Sequence, residues 1–568
     1  MAEPPKEVPT DAVPKPAAPA GEDPAQPSKK GAKKAEAKAK KEAEKARKAA
    51  EREAAQASSA AAAAEDLAKD NYGKITHTTK VDAERRHLRD LGEADVGKTI
   101  ELQAWIQNVR MQGAKMAFLE LREEGNWTIQ AVVAASPEGK PVSKQMVKWI
   151  GGLKLESFVV VEAVVSKPHE PVKSAKVSGY ELHIVKTYLV APAPEMLGLG
   201  LAAASRAVGK LDDEEISDAV EGLSITEGTP AASLATHLNN PAIHKRAPVS
   251  QAIADIRIEV EELFREYLRA RGFKNFHPPS LIGAASEGGA NVFKLTYFEK
   301  DAYLAQSPQF YKQMEIAGGR KRVFCVGPVF RAENSNTPRH MTEFIGLDLE
   351  MEIEKHYHEV MHMLEGVLLY IFRGLAERCK EEIATVRAVY PSEEFLLPAE
   401  GKEVRLTFAE GQKLLREEGP PEFANVSDDE DMSTAQEKAL GALIRKKYNT
   451  DFYVLDKFPI DARPFYAMPD PENPKLTNAY DFFMRGQEIL SGGQRLHLPD
   501  QLEQCIRAKG LDPNEPGLKN YVDVFRSAGV PPHGGGGIGL DRVVAWYLNL
   551  PTVQLVADYP RTPKRLTP

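Results

Sequence analysis

Between Val323 and Glu354 the chain reads VFCVGPVFRAENSNTPRHMTEFIGLDLEMEIE, with ionisable side chains on both sides of a polar break. Arg331, Glu333, Arg339 and His340 fall within ten positions, around Asn334, Ser335, Asn336, Thr337 and Pro338, residues with turn chemistry. Before the break, Val323 to Phe330 is apolar apart from Gly327 and Pro328, as suits a strand buried on both faces. After Phe344 the pattern alternates, setting Leu347, Leu349 and Met351 on one face and Asp348 and Glu350 on the other. One sheet face then carries cations followed by two carboxylates. A single Arg–Glu pair reads equally well as a buried ion pair. So many charges on inner strands are costly unless a ligand shares their neutralisation, and a ligand bearing both phosphate and an amine fits.

Three further patterns have chemical potential. In YDFFMRGQEI, residues 480–489, a hairpin tip at Met484 and Arg485 would make Asp481 and Glu488 cross-strand neighbours. Two facing carboxylates suit a hard cation such as Mg2+, although an isolated pair is more often a solvated acidic rim. His358-Glu359-Val360-Met361-His362 matches the zinc-protease spacing but has no evident third ligand, so a structural role is expected. Gly534, Gly536 and Gly539 fit G-x-G-x-x-G, yet Pro531-Pro532-His533 before them does not read as the strand a dinucleotide site requires.

FRAE at 330–333, followed after a loop by HMTEF at 340–344, resembles motif 2 of class II aminoacyl-tRNA synthetases, and GGGIGLDR at 535–542 resembles their motif 3. GFKNFHPP at 272–279 is similar to motif 1, whose closing proline, here Pro279, lies at the dimer interface in that family. AQSPQFYKQ at 305–313 and ILSGGQR at 489–495 narrow the resemblance to the aspartyl-tRNA synthetases of eukaryotic cytosolic, fungal-like type. The resemblance implies an α+β chain: an OB-fold β-barrel, then a class II catalytic domain with an antiparallel sheet flanked by helices. It implies ATP and Mg2+, the partners L-aspartate and tRNA-Asp, a homodimer and a cytoplasmic location.

By the same resemblance Arg331 faces the α-phosphate, His340 and Arg542 the outer phosphates, and Phe344 stacks adenine. Glu333, Glu488 and Gly539 complete the ATP site, and Asp481 with Glu488 holds the metal. Ser286 and Glu287 sit in a loop near the substrate ammonium, which Asp348 holds, while Gln309, Lys312, Ser491 and Arg495 complete the aspartate site. Lysine and the planar fork of arginine supply countercharge to a side-chain carboxylate, which disfavours asparagine. Gln554 stands where the family commonly has arginine, and His244 where an acid is expected.

The elements that must position these groups follow from hydrophobic patterning. Ser250 to Ala270 has helical periodicity, with Ile253, Ile256, Ile258, Val260, Leu263 and Leu268 as its buried face. From Gly97, five alternating strands with a helix between the third and fourth give the order of an OB-fold. Phe118 occupies the family's anticodon-stacking position and Gln130 its base-reading one, with a turn one residue longer than expected at Gly125-Asn126. The expected organisation is a disordered and Lys-rich helical tail over 1–72, the OB-fold over 73–195, a hinge over 196–247 containing a short helix in DDEEISDAVEGL, and the catalytic domain over 248–568. An insert, Glu382 to Asp461, reads as mixed helix and strand without recognisable chemistry.

Net charge is −8 over 568 residues, yet Lys29 to Arg52 holds eleven Lys or Arg against four Glu. That segment has no apolar side chain larger than Ala, so it cannot dock by burial, and a polyanion is its natural partner. No apolar run is long enough to span a membrane. Neither a secretory nor a transit pattern opens the chain. Cys325, Cys379 and Cys505 have no paired spacing, which points to a reducing compartment.

Overall fold

The computed structural model describes Arg47 and residues 66–209, 211, 231–283, 285, 291–335 and 337–568. Apart from Arg47, the basic tail lies outside these residues, as do the expected helix at 212–223 and the Ser286-Glu287 pair. Two compact units are present: one comprises residues up to 122 together with 128–193, the other 123–127 with 194–568.

In the first unit, strands β1 (Thr99–Met111), β2 (Met116–Arg122), β3 (Thr128–Ala134), β4 (Phe158–Ser166) and β5 (Glu181–Ala191) surround a barrel. β1 pairs antiparallel with β2 and β4, β2 with β3, and β4 with β5; β3 closes the ring by pairing parallel with β5. This is OB-fold topology. Helix α1 (Lys144–Gly151) lies between β3 and β4 in sequence, its N-terminus capped by Ser143, whose hydroxyl accepts from the Met146 amide. Alternation explains the closure, because Ile100, Leu102, Ala104 and Ile106 of β1 point inward while the intervening residues do not. A short strand, Tyr72–Lys74, extends β5 in parallel. The longer β2–β3 turn is accommodated by two residues of positive φ, Gly125 at 69° and Asn126 at 58°.

The second unit is built on an eight-stranded sheet. In chain order its strands are β6 (Lys274–Asn275), β7 (Arg322–Phe330), β8 (Glu343–Glu352), β9 (Val404–Thr407), β10 (Phe452–Asp456), β11 (Ala479–Met484), β12 (Gln487–Gln494) and β13 (His533–Gly539). In space they run β9-β10-β11-β12-β13-β8-β7-β6. The six inner strands pair antiparallel, and only the outermost pairs, β9 with β10 and β6 with β7, are parallel.

Helices α2 (Pro248–Ala270), α4 (His358–Arg378) and α5 (Leu540–Leu548) share the main core with one face of this sheet, including Leu347, Leu349 and Met351 of β8. Ile253, Ile256, Val260, Leu263 and Leu268 of α2 are buried, but Ile258 is 58% exposed. Two residues from Ile256 is about 200° around a helix, so apolar identity did not place Ile258 on the inner face. Helix α3 (Gln309–Ala317) packs on β7 and β8 from the opposite side. That leaves Asp348 and Glu350 facing away from the core, Asp348 on a cavity and Glu350 buried beside it.

Candidate active site

A cavity of about 330 Å3 opens on the sheet face opposite the helical core. Gln309, Lys312, Asp348, Ser491 and Arg495 line it, as do Arg331, Glu333, His340, Phe344, Gly539 and Arg542, with Asp481 and Glu488. Only Ser286 and Glu287, among the residues singled out for this site, lie outside the described residues.

Four buried charges form one end. Lys312 is 1% exposed, its Nζ 2.9 Å from Asp348 Oδ1 and 3.6 Å from Glu350 Oε2. Arg495 Nε donates to Glu350 Oε1 at 3.1 Å. Lys312 and Arg495, expected to await a substrate carboxylate, are therefore already countercharged, and Asp348, expected to hold an ammonium, is bonded to Lys312. Two buried cations without partners would be prohibitively costly in the ligand-free fold. Burial alone would raise the pKa of Glu350, but Arg495 and Lys312 outweigh it and hold the carboxyl below its ordinary value. Beneath them, Gln313 donates to His533 Nε2 at 2.9 Å while its carbonyl accepts from Tyr521 at 2.7 Å and from Gln309 at 3.0 Å.

The glycines of β13 belong to this charge cluster. A Cβ on Gly535 would lie 2.1 Å from Glu350 Oε2, and one on Gly537 would lie 2.9 Å from Asp348 Oδ1. Both carboxylates lie across the neighbouring strand, and only glycine leaves them room. The glycines of the G-x-G-x-x-G spacing, Gly534, Gly536 and Gly539, lie in this same strand, and it is the glycines between them that accommodate the carboxylates.

The other end is cationic. Arg331 lies 5.8 Å from the centre of the Phe344 ring. Arg542 donates from Nε to the Arg339 carbonyl at 3.3 Å and from Nη1 to the Glu488 carbonyl at 3.2 Å. His340, expected to face the outer phosphates, lines this end in surroundings that favour its neutral form. Burial, reinforced by Arg542, Arg339 and Arg331, lowers its pKa to about 4. Its Nδ1 is 2.6 Å from the Thr337 hydroxyl.

The acidic hairpin differs from expectation. Its tip is Arg485-Gly486, both with positive φ, and Asp481 faces Ser491 while Glu488 faces Phe483 across a bulge. Asp481 and Glu488 are thus not direct cross-strand partners, although both reach the cavity. Arg463 holds Asp481 through Nη1 at 2.9 Å and Nη2 at 2.6 Å, and its Nη1 also donates to Ser491 at 2.7 Å. Burial raises the Asp481 pKa, Arg463 opposes, and the charge of Glu488 adds to the rise. Two mutually repelling carboxylates fit a hard cation that takes its remaining ligands from water and phosphate. Among the described residues no cluster of three or more His, Cys, Asp or Glu has metal-site geometry.

The zinc-protease spacing has another use. His358 Nε2 is 2.8 Å from Asp456 Oδ2, and Glu359 accepts the backbone amides of Glu354, Lys355 and His356 at the start of α4. Residues missed from the sequence are Arg463, Gln313, His533 and, from the insert, Glu437. Only the i, i+4 spacing of Gln309 and Gln313 on α3 offered a local signal.

In the barrel unit, Phe118 and Gln130 lie on the outer face of β2 and β3, each partly exposed. Phe118 sits opposite Val132, two residues along from Gln130, with Arg110 5.3 Å from its ring centre. Gln130 donates to Glu181 at 3.0 Å.

The family model for class II tRNA synthetases (D, K and N) matches residues 233–563. The cytoplasmic aspartate–tRNA ligase of Mus musculus is 45% identical over 511 residues, spanning 89% of this chain and 96% of that protein. Among solved structures, an aspartyl-tRNA synthetase from Entamoeba histolytica matches with a TM-score of 0.75 at 36% identity, covering 88% of this chain and 96% of that one. An asparaginyl-tRNA synthetase from Pyrococcus horikoshii, complexed with asparaginyl-adenylate, matches with a TM-score of 0.69 at 29% identity, covering 85% and 100%. The chain belongs to the class II tRNA synthetases, and within them to the family of the cytoplasmic aspartate–tRNA ligases.

Proposed function

We propose that this chain activates L-aspartate with ATP and transfers it to the terminal adenosine of tRNA-Asp in the cytoplasm. The observation that carries the choice of amino acid is the buried set Lys312, Arg495, Asp348 and Glu350. An incoming α-ammonium adds a third positive charge to this set and competes for Asp348. Balance then calls for one more carboxylate, which the aspartate side chain supplies and asparagine does not. An uncompensated buried cation costs about 3–5 kcal/mol, enough for strong discrimination.

The α-carboxylate is directed toward the cationic end. There its oxygen attacks the α-phosphorus of ATP, the bond to the β-phosphate oxygen breaks, and pyrophosphate leaves. Arg331 stabilises charge on the α-phosphate, Arg542 and His340 hold the outer phosphates, Phe344 stacks the adenine, and Glu333 and Gly539 border the nucleotide. In the second step a ribose hydroxyl of the tRNA attacks the acyl carbon and AMP leaves. No protein nucleophile is required; positioning and charge stabilisation do the work. Asp481 and Glu488 would hold Mg2+, which would offset phosphate charge. Gln309 and Ser491 border the amino acid, and Ser286 and Glu287 are assigned to the same pocket by motif alone. Phe118 and Gln130 are the anticodon contacts, the Lys-rich segment adds salt-sensitive tRNA affinity, and a homodimer forms through the Pro279 region.

Aspartate-dependent ATP–pyrophosphate exchange, with asparagine as control, followed by charging of purified tRNA-Asp and tRNA-Asn, tests this. Exchange with aspartate and charging of tRNA-Asp are expected. Preference for asparagine would overturn the pocket assignment, and tRNA binding without exchange would overturn the enzymatic one.

A further inference from the structure

The insert that carries no motif reaches the cationic end of the cavity. Its helix Thr434–Tyr448 rests on the hairpin tip through two glycines. A Cβ on Gly441 would lie 2.3 Å from Gly486 Cα, and one on Gly486 would lie 2.8 Å from the Glu437 carbonyl. This close approach presses Glu437, 6% exposed, against Arg339, whose Nη1 donates to Glu437 Oε2 at 2.7 Å. Arg339 lines the cavity. Its backbone is fixed independently, since its carbonyl accepts from Arg542 and the carbonyl of Pro338 accepts from the Val553 amide at 2.9 Å. The side chain is thus the part left to choose a partner. Burial pushes the Glu437 carboxyl up to about 7, with Arg339 opposing and Glu488 adding. A carboxylate in this place is repelled by polyphosphate and occupies a guanidinium that borders the phosphate end.

We propose that Glu437 is a positioning residue: it retains Arg339 in the ligand-free site and yields it to the nucleotide phosphates, so that the insert helix sets the affinity for ATP. This rests on the reading of the cavity as an ATP site. A fixed structural pair would instead keep Arg339 bonded to Glu437 throughout, and its loss would loosen the loop and weaken nucleotide binding.

Glu437→Gln in the full chain keeps the shape and removes the charge. In ATP–pyrophosphate exchange its KM for ATP is expected to fall by about three- to tenfold, while kcat and the KM for aspartate stay within about twofold of wild type. Arg339→Gln should raise the KM for ATP, and the double variant should match Arg339→Gln alone. A KM for ATP that is unchanged or raised in Glu437→Gln overturns the proposal. If that variant does not fold, Glu437→Asp, which is too short to keep the contact, should lower the KM in the same direction, and no change would overturn the proposal equally. Absence of exchange in the wild-type protein would instead remove the ATP reading itself.

Discussion

Replacing Glu350 by Gln removes the one charge that Lys312 and Arg495 share. Glu350 is fully buried, bonded to Arg495 at 3.1 Å and 3.6 Å from the Lys312 ammonium. Lys312 keeps Asp348 at 2.9 Å, so the deficit falls mainly on Arg495, buried at 6% exposure. Breaking a buried pair from one side costs about 3–5 kcal/mol, and the retained Asp348 puts the expectation near the lower bound, about 3 kcal/mol. For a unit of this size that corresponds to a fall of about 4 °C in the unfolding temperature. The folded pKa of Glu350 lies below its ordinary value of 4.5. Its contribution is therefore complete at neutral pH and is lost only as pH falls below that range. The substrate makes the prediction sharper. Aspartate brings a carboxylate to the same two cations, so saturating aspartate should raise the unfolding temperature of Glu350→Gln more than that of wild type, whereas asparagine should not. Differential scanning fluorimetry with each amino acid reads this directly. An unfolding temperature equal to wild type, or equal stabilisation by aspartate and asparagine, would refute the charge-balance argument.

Truncating Phe118 to Ala removes an aromatic from the outer face of the barrel. It should weaken tRNA-Asp binding by about 1–3 kcal/mol, or roughly 5- to 150-fold, while leaving ATP–pyrophosphate exchange unchanged; unaltered binding in a filter assay would remove the anticodon-stacking role. His340 has a pKa lowered from 6.5 to about 4 by burial and three arginines, so below pH 6.5 the unfolded chain takes up a proton that the fold refuses. By linkage this costs about 1.4 kcal/mol of stability at pH 5.5. His340→Gln should lose that part of the acid sensitivity, as measured by thermal unfolding at pH 7.5 and 5.5, and identical sensitivity in both proteins would contradict the neutral assignment.

What the sequence made legible, and what it hid, divides along the range of the physical cause. Strand alternation is local, so β1 to β5, β7 and β8 stand where the apolar pattern places them, and the opposite faces taken by Leu349 and Glu350 follow from a period of two. Periodicity places Asp348 on the face away from the core, but Lys312 on its helix and Arg495 beyond the end of β12 joined it in one expected pocket only through their likeness to family motifs. Partner choice is not local. Periodicity tells which side Asp348 faces, yet nothing in its neighbourhood says that Lys312 will take it before a substrate does. The hairpin shows the same limit on a shorter scale: Asp481 and Glu488 both reach the cavity, but a tip displaced to Arg485-Gly486 and one bulge alter the register expected between them, and Arg463, eighteen residues upstream, is the partner of Asp481. Ile258 marks the converse error, in which an apolar side chain was assigned inward by type although its angular position points out. The glycines show why such cases resist reading. Gly534, Gly536 and Gly539 look like a nucleotide loop in sequence, whereas the glycines between them, Gly535 and Gly537, owe their identity to the pair of carboxylates on the adjacent strand. Gly441 and Gly486 owe their identity to one another, across a gap that no periodicity spans. It is this second contact that carries Glu437 to Arg339, so the chemistry of the insert resides in its packing and has no motif to announce it.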